Sequence, residues 1–182
     1  MIPKALSFFF ILFSGFYATP VFAHMNHEHA SPFFQETQAL FDSLDEEKRE
    51  KFSRILSGHG IIQSTEHTLV IVTDAVKSCG KEHPDLKDNM ASLLENLNTS
   101  TKPILKKAKG ALKRTIALAE VMPVQDMKAY LQKFDDEATA QSSQVDPLPI
   151  TRLEDCETLQ DQLTKEKDTN RLPNALNDAF GF

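Results

Sequence analysis

The chain has 182 residues, a net charge of −6 and 41% hydrophobic residues, which is enough for one domain with a buried core. Its acidic balance argues against nucleic acid as the main partner. Neither a CxxC nor a CxxCH motif occurs, so a thioredoxin-like redox function and covalent c-type haem attachment have no support.

The first residues have the pattern of a secretory signal. Lys4 precedes the apolar run Leu6–Phe16, and Val21 and Ala23 suit cleavage after Ala23. We therefore expect residues 1–23 to be a signal peptide and the mature protein to be periplasmic or secreted. The alternative is an uncleaved membrane anchor, but the run is shorter than the ~18–20 apolar residues that cross a bilayer. No later segment predicts a transmembrane span.

A short polar segment, residues 24–31, follows the predicted cleavage point and contains His24, His27 and His29. Imidazoles, together with the free amine that cleavage would give His24, suit Cu, Ni or Zn ions. Nothing in the sequence fixes the geometry of these groups, so ordering entropy opposes binding. We therefore favour a solvated tail that binds metal only adventitiously, and specific metal binding is the alternative.

Residues 32–182 show helical periodicity and no strand pattern, which predicts a single-domain, all-α bundle of about five to seven helices. Ser31 and Pro32 suit the N-cap and first position of a helix that ends near Leu44. Asp45 opens either a continuation or a new helix, and Gly58–Gly60 predict a turn or hinge.

The most apolar helix is predicted over Ile61–Cys79 and is expected to end at Gly80. Pro84 begins the next helix, and Asn98–Thr101 predict a break before a long helix that runs to about Met122. Three further features follow in chain order: a helix from Val124 to about Ala140, a linker at Gln141–Ile150, and a capping box formed by Thr151 and Glu154. The capping box opens a helix to about Lys167, and Leu172–Phe180 predict a last short helix.

The two cysteines lie in the apolar stripes of two different helices. Cys79 shares a stripe with Leu69, Val72 and Val76, and Cys156 shares one with Leu153, Leu159 and Leu163. An even cysteine count in an exported chain predicts a disulfide, so we expect Cys79 and Cys156 to be joined. The alternative is a pair of free, buried thiols.

A basic stretch, Lys102–Arg114, contains six cations and no acid. At helical spacing Lys102, Lys106, Lys109 and Lys113 line one edge of the apolar stripe, and Lys107 and Arg114 line the other. A basic amphipathic helix can lie on anionic lipid or dock on an acidic partner. Charge complementarity with the acidic segments of the same chain is the interpretation that we favour for this stretch, and docking on lipid or on an acidic partner is the alternative.

The sequence contains none of the common hydrolase, zinc-protease or phosphate-binding motifs. His59, His67 and His83 have no second ligand at a set spacing and are predicted to be surface residues. The interpretation that we favour is an exported, non-enzymatic binding module that contacts a protein or another envelope component. The alternatives are a periplasmic metal-binding or metal-responsive protein and, less favoured, an enzyme with a site built across the bundle.

Overall fold

The computed structural model describes residues 31–142 and 149–182. Within these residues the structure contains six helices and no strand. Their bounds are α1 Pro32–Ser43, α2 Glu46–Glu82, α3 Lys87–Ala119, α4 Val124–Ser142, α5 Leu153–Thr169 and α6 Arg171–Phe180. The predicted all-α bundle with one disulfide is confirmed. The predicted signal peptide and nearly all of the 24–31 segment lie outside the described residues.

Helix α1 begins and ends where its capping residues predict. The Ser31 hydroxyl accepts a hydrogen bond from the Phe34 N–H at 3.3 Å, and Pro32 occupies the first turn, where its missing N–H costs nothing. Leu44 ends the helix in an extended conformation. Asp45 then accepts from the Lys48 N–H at 2.9 Å and starts a separate helix.

The predicted turn at Gly58–Gly60 is wrong, because α2 continues through it from Glu46 to Glu82. Buried side chains recur every three or four residues on both sides of the glycines, so packing of one continuous stripe overrides the weak helix propensity of glycine. The buried residues of this stripe are Phe52, Ile55, His59, Ile62, Thr65, Leu69, Val72, Val76 and Cys79.

The predicted break at Asn98–Thr101 is also wrong, because α3 runs without interruption from Lys87 to Ala119. Pro103 lies inside the helix but is exposed. The buried stripe again continues across the expected break, through Leu97, Thr101 and Leu105. Burial of that stripe outweighs the local signals of the polar cluster and the proline.

A tight turn joins α2 to α3. The prediction that α2 ends at Gly80 is two residues short, and the predicted start at Pro84 is three residues early. The Lys87 N–H donates to the Pro84 carbonyl at 3.3 Å within this turn. A Cβ atom at Gly80 would lie 3.2 Å from Cγ of Lys87, so the missing side chain of Gly80 allows the two helix ends to approach closely.

The predicted Thr151–Glu154 capping box does not form. Arg152 is the N-cap residue of α5 and makes no capping bond with its side chain. Because Arg152 rather than Thr151 is the N-cap, Glu154 is the second residue of the helix and not the third, where a capping box needs its acid. The Glu154 carboxylate pairs with the Arg152 guanidinium. Helix α4 extends to Ser142, and part of the predicted linker, residues 143–148, lies outside the described residues.

The contacts divide the chain into two compact units. The first, here called the disulfide unit, comprises Gly60–Gly110 and the described part of Pro147–Phe182. Cys79 and Cys156 form its disulfide, with 5.7 Å between their Cα atoms and no solvent exposure at either residue. The predicted pairing is therefore confirmed. The other buried residues of this unit include Met90, Leu93, Leu97, Leu105, Leu159, Leu163 and Leu176.

The second unit, here called the aromatic unit, comprises the described parts of Tyr17–His59 and Ala111–Asp146. Tyr130 of α4 is at its centre. The ring centroids of Phe33 and Phe52 each lie 5.3 Å from that of Tyr130, within the range of favourable aromatic contacts. The buried Tyr130 hydroxyl is satisfied by Oγ1 of Thr37 at 2.6 Å.

Of the helices that the structure describes, none combines the length and apolar character needed to cross a bilayer.

Candidate anion-binding surface

The four predicted lysines lie on one exposed stripe of α3. At 100° per residue, Lys102, Lys106, Lys109 and Lys113 fall within about 60° of one another around the helix axis. The buried side of the same helix, formed by Leu105, Ala108 and Leu112, is centred roughly 90–110° away. Burial of that apolar side therefore turns all four lysines toward solvent, where each is exposed. These four residues are here called the lysine stripe.

Only one member of the lysine stripe has an acidic partner in the described part of the chain. Nζ of Lys109 lies 2.6 Å from Oε1 of Glu66 on α2. The side chains of Lys102, Lys106 and Lys113 form neither a hydrogen bond nor an ion pair with any described residue. Charge complementarity within the described residues therefore accounts for Lys109 and leaves the other three lysines available to an external anion.

The spacing of the exposed lysines makes them a single electrostatic patch. A rise of 1.5 Å per residue places successive members of the stripe about 4.5–6 Å apart along the axis. That distance is shorter than the Debye length of about 8 Å at physiological ionic strength. The potentials of neighbouring lysines therefore add. Because Lys109 is paired with Glu66, the strongest addition is between the unpaired Lys102 and Lys106, which lie about 6 Å apart along the axis, while Lys113 lies about 10.5 Å from Lys106.

Lys107 lies on the other edge of α3 and has a different environment. Its Nζ lies 3.8 Å from the centroid of the Phe182 ring, and Phe182 stacks on Phe180 at 5.8 Å. A cation–π contact at an exposed site contributes about 0.5–1 kcal/mol. Lys107 thus contacts the Phe180–Phe182 pair at the C-terminus and is not part of the lysine stripe.

The described histidines of the body have separate partners. His83 Nε2 lies 2.9 Å from the Thr151 carbonyl, His59 Nε2 lies 2.6 Å from Oδ1 of Asp135, and His67 is exposed. No group of three His, Cys, Asp or Glu residues that could hold a metal ion occurs among residues 31–142 and 149–182. His24, His27 and His29 lie outside those ranges, so their metal binding stays a prediction.

The prediction that His59 lies in a surface turn is wrong. His59 is 9% exposed, and Phe134 packs edge-on against its ring with 5.9 Å between centroids. The signal was present in the sequence, because His59 continues the spacing from Ile55 to Ile62 on the buried side of α2. The two glycines that flank His59 led to the prediction of a turn instead of a buried helical position.

Glu166 of α5 is a second buried polar group that the sequence reasoning missed. Its carboxylate accepts a hydrogen bond from the Leu172 N–H at 2.7 Å, in the first turn of α6, where the Asn170 side chain makes no capping bond. Glu166 therefore caps α6 from the preceding helix. Burial raises the pKa of its carboxyl, while the Leu172 hydrogen bond and the charge of Arg171 lower it by less.

The exposed lysines can attract anions, whereas His59 and Glu166 are occupied by internal contacts. Neither a protein-family model nor a curated protein or solved structure matches this chain.

Proposed function

We propose that the protein is an exported binding module that docks on an acidic partner through the lysine stripe of α3. The observation that carries the proposal is the exposure of Lys102, Lys106 and Lys113 on one side of one helix, without an acidic partner among the described residues. These lysines form a local positive patch on a chain whose net charge is −6. Such a patch steers an acidic surface toward one orientation and speeds its association.

The disulfide supports the exported location. A bond between Cys79 and Cys156 persists in an oxidising compartment, such as the periplasm or the extracellular space. The predicted signal peptide at residues 1–23 points to the same compartments. In that setting the acidic partner is an envelope component or another exported protein.

The test is binding of the full, oxidised protein to immobilised polyglutamate, a probe that carries only carboxylates. Replacement of Lys102, Lys106 and Lys113 by glutamine should lower the affinity by about tenfold or more, because the exposed charges of the patch are lost. Raising the salt concentration should weaken binding of the unmodified protein and have little effect on the variant.

The matched control replaces three exposed lysines outside the stripe, Lys128, Lys165 and Lys167, by glutamine. Both triple variants change the net charge equally, so a difference between them reports position rather than total charge. Equal loss of binding in the two variants, or no loss in either, would overturn the proposal. Circular dichroism checks that both variants remain helical.

A further inference from the structure

The lysine stripe continues toward the beginning of α3 as an acidic stripe. At 100° per residue, Asp88 and Glu95 project within about 40° of Lys102 around the helix axis. Both acids are exposed, and neither carboxylate forms a hydrogen bond or ion pair with another described residue. One exposed side of α3 is therefore acidic in its first half and basic in its second half.

The acids and lysines of this side are placed symmetrically along the helix. The midpoint between Ser100 and Thr101 lies as far from Glu95 as from Lys106. Asp88 and Lys113 are likewise equidistant from that midpoint. A second α3 laid antiparallel across the midpoint would place each of these acids opposite a lysine of the other copy.

Only the antiparallel arrangement has this property. Two parallel copies in register would place Glu95 against Glu95 and Lys106 against Lys106, which is repulsive. Antiparallel pairing has two-fold symmetry, so each pair occurs twice and the interface closes on itself. The dipoles of the two helices are also antiparallel in that arrangement, which is electrostatically favourable.

The helix dipole alone does not explain the charge pattern. Its effect falls off within the first and last turns of a helix, so it accounts for Asp88 near the beginning of α3. Glu95 and Lys106 lie well inside the helix, beyond the reach of either terminus. Pairing between copies gives both of them a partner.

We infer that α3 is a self-association surface, on which a second copy of this chain packs antiparallel so that Glu95 faces Lys106 and Asp88 faces Lys113. The inference rests on the proposed function, because it names the acidic half of a second α3 as a partner of the lysine stripe. Small exposed residues between the charges, including Ala91, Ser92 and Thr99, let the two helices approach. Exposed ion pairs are individually weak, so the dimer should form at high protein concentration and dissociate as salt is added.

The experiment is sedimentation velocity of the full, oxidised protein over a range of concentrations at low and high salt. Lys106→Glu and Glu95→Lys should each weaken the dimer by about tenfold or more, because each places like charges opposite one another twice. The double variant K106E/E95K should restore the affinity of the unmodified protein, since it exchanges the two charges and rebuilds both pairs.

The control exchanges charges on an exposed part of α5, with Lys165→Glu, Glu157→Lys and their combination. These variants change the net charge as the α3 variants do and should leave the dimer unaffected. A protein that stays monomeric at low salt would overturn the inference. A double α3 variant that is no better than its single variants would also overturn it.

The two proposals fail differently. Glu95→Lys should strengthen binding to polyglutamate while it weakens the dimer, whereas Lys106→Glu should weaken both. A monomeric protein that still binds polyglutamate through the stripe rejects self-association and keeps the proposed function. A dimer that obeys the charge exchange, in a protein that does not bind polyglutamate, supports self-association and rejects docking of the lysine stripe on acidic partners other than a second α3.

Discussion

Nε2 of His59 lies 2.6 Å from Oδ1 of Asp135, which joins α2 to α4 inside the aromatic unit. The histidine is 9% exposed, so its ring has exchanged water for contacts with a carboxylate oxygen of Asp135 and with the Phe134 ring. A polar group this deeply buried is costly unless it is hydrogen-bonded. The hydrogen bond to Asp135 thus compensates the cost of burying the His59 ring on the inner side of α2.

Replacement of His59 by alanine should lower the free energy of unfolding by about 1–3 kcal/mol. The change removes the hydrogen bond to Asp135 and the packing on Phe134. His67→Ala is the matched control, because His67 lies on the same helix and is exposed. Urea denaturation followed by circular dichroism should show a change within about 0.5 kcal/mol for the control. Similar losses in the two variants would contradict a specific role for the buried pair.

The stability of the protein should carry a pH dependence from Glu166. Burial raises the pKa of this carboxyl above its ordinary value of 4.5, so the folded state binds the proton more tightly than the unfolded state does. The resulting contribution to stability is complete below that ordinary value and is lost as the pH rises through the raised pKa. Replacement by glutamine keeps an oxygen acceptor for the Leu172 N–H and removes the titration.

The measurement is the free energy of unfolding of the Glu166→Gln variant and of the unmodified protein between about pH 4 and pH 7. The variant should gain stability relative to the unmodified protein as the pH rises through this interval. Glu157→Gln on the exposed side of α5 controls for the change of residue type. If the stability of the Glu166→Gln variant relative to the unmodified protein stays constant or falls as the pH rises, Glu166 is not the source of the pH dependence.

The sequence was informative where buried side chains repeat at helical spacing. The stripe that holds Cys79 and the one that holds Cys156 predicted two helices and the bond between them, because both sulfurs had to face the interior. The same reasoning placed all four lysines on one exposed side of α3. The position of each cysteine and of the lysines needs only the geometry of a single helix, whereas the pairing of the two cysteines was predicted from their even number in a chain expected to be exported.

The sequence was misleading where a local signal competed with packing between distant segments. Glycine at positions 58 and 60 and proline at 103 lower helix propensity, yet both helices continue because the buried stripes on either side are in phase. The Thr151 capping box does not form because Arg152, not Thr151, is the N-cap residue, so Glu154 is one position too early in the helix for it. The contacts of His59 with Asp135 and of Lys109 with Glu66 link residues 76 and 43 positions apart, which spacing along one helix does not reveal.

Removal of the disulfide should destabilise the protein substantially. The bond between Cys79 and Cys156 closes a loop across 77 positions, which in the chain-entropy model restricts the unfolded state by about 4–5 kcal/mol. The double variant Cys79→Ala/Cys156→Ala should therefore lose about 2–5 kcal/mol in the free energy of unfolding. Reductant should lower the stability of the unmodified protein toward that of the double variant and leave the variant unchanged. Equal stability of the oxidised protein and the variant would contradict this prediction.

Glycine to alanine should have opposite effects at two positions of this chain. Gly60 lies inside α2, and a Cβ atom built there meets no other atom within 4 Å. Alanine at this position should raise the free energy of unfolding by about 0.5–1 kcal/mol, because it reduces the conformational freedom of the unfolded chain and favours the helix. Gly181 ends α6 with a φ of 65°, a left-handed conformation that an alanine side chain disfavours.

Gly181→Ala should therefore lower stability by about 1 kcal/mol, although the open space around this residue is the same as around Gly60. Thermal and urea unfolding of the two variants beside the unmodified protein measure both effects. The comparison separates backbone conformation from steric room, because an added Cβ atom meets no other atom within 4 Å at either site, whereas only Gly181 has a positive φ. A loss of stability at Gly60 would show that the glycine pair beside His59 has a requirement other than helix formation, such as bending of α2.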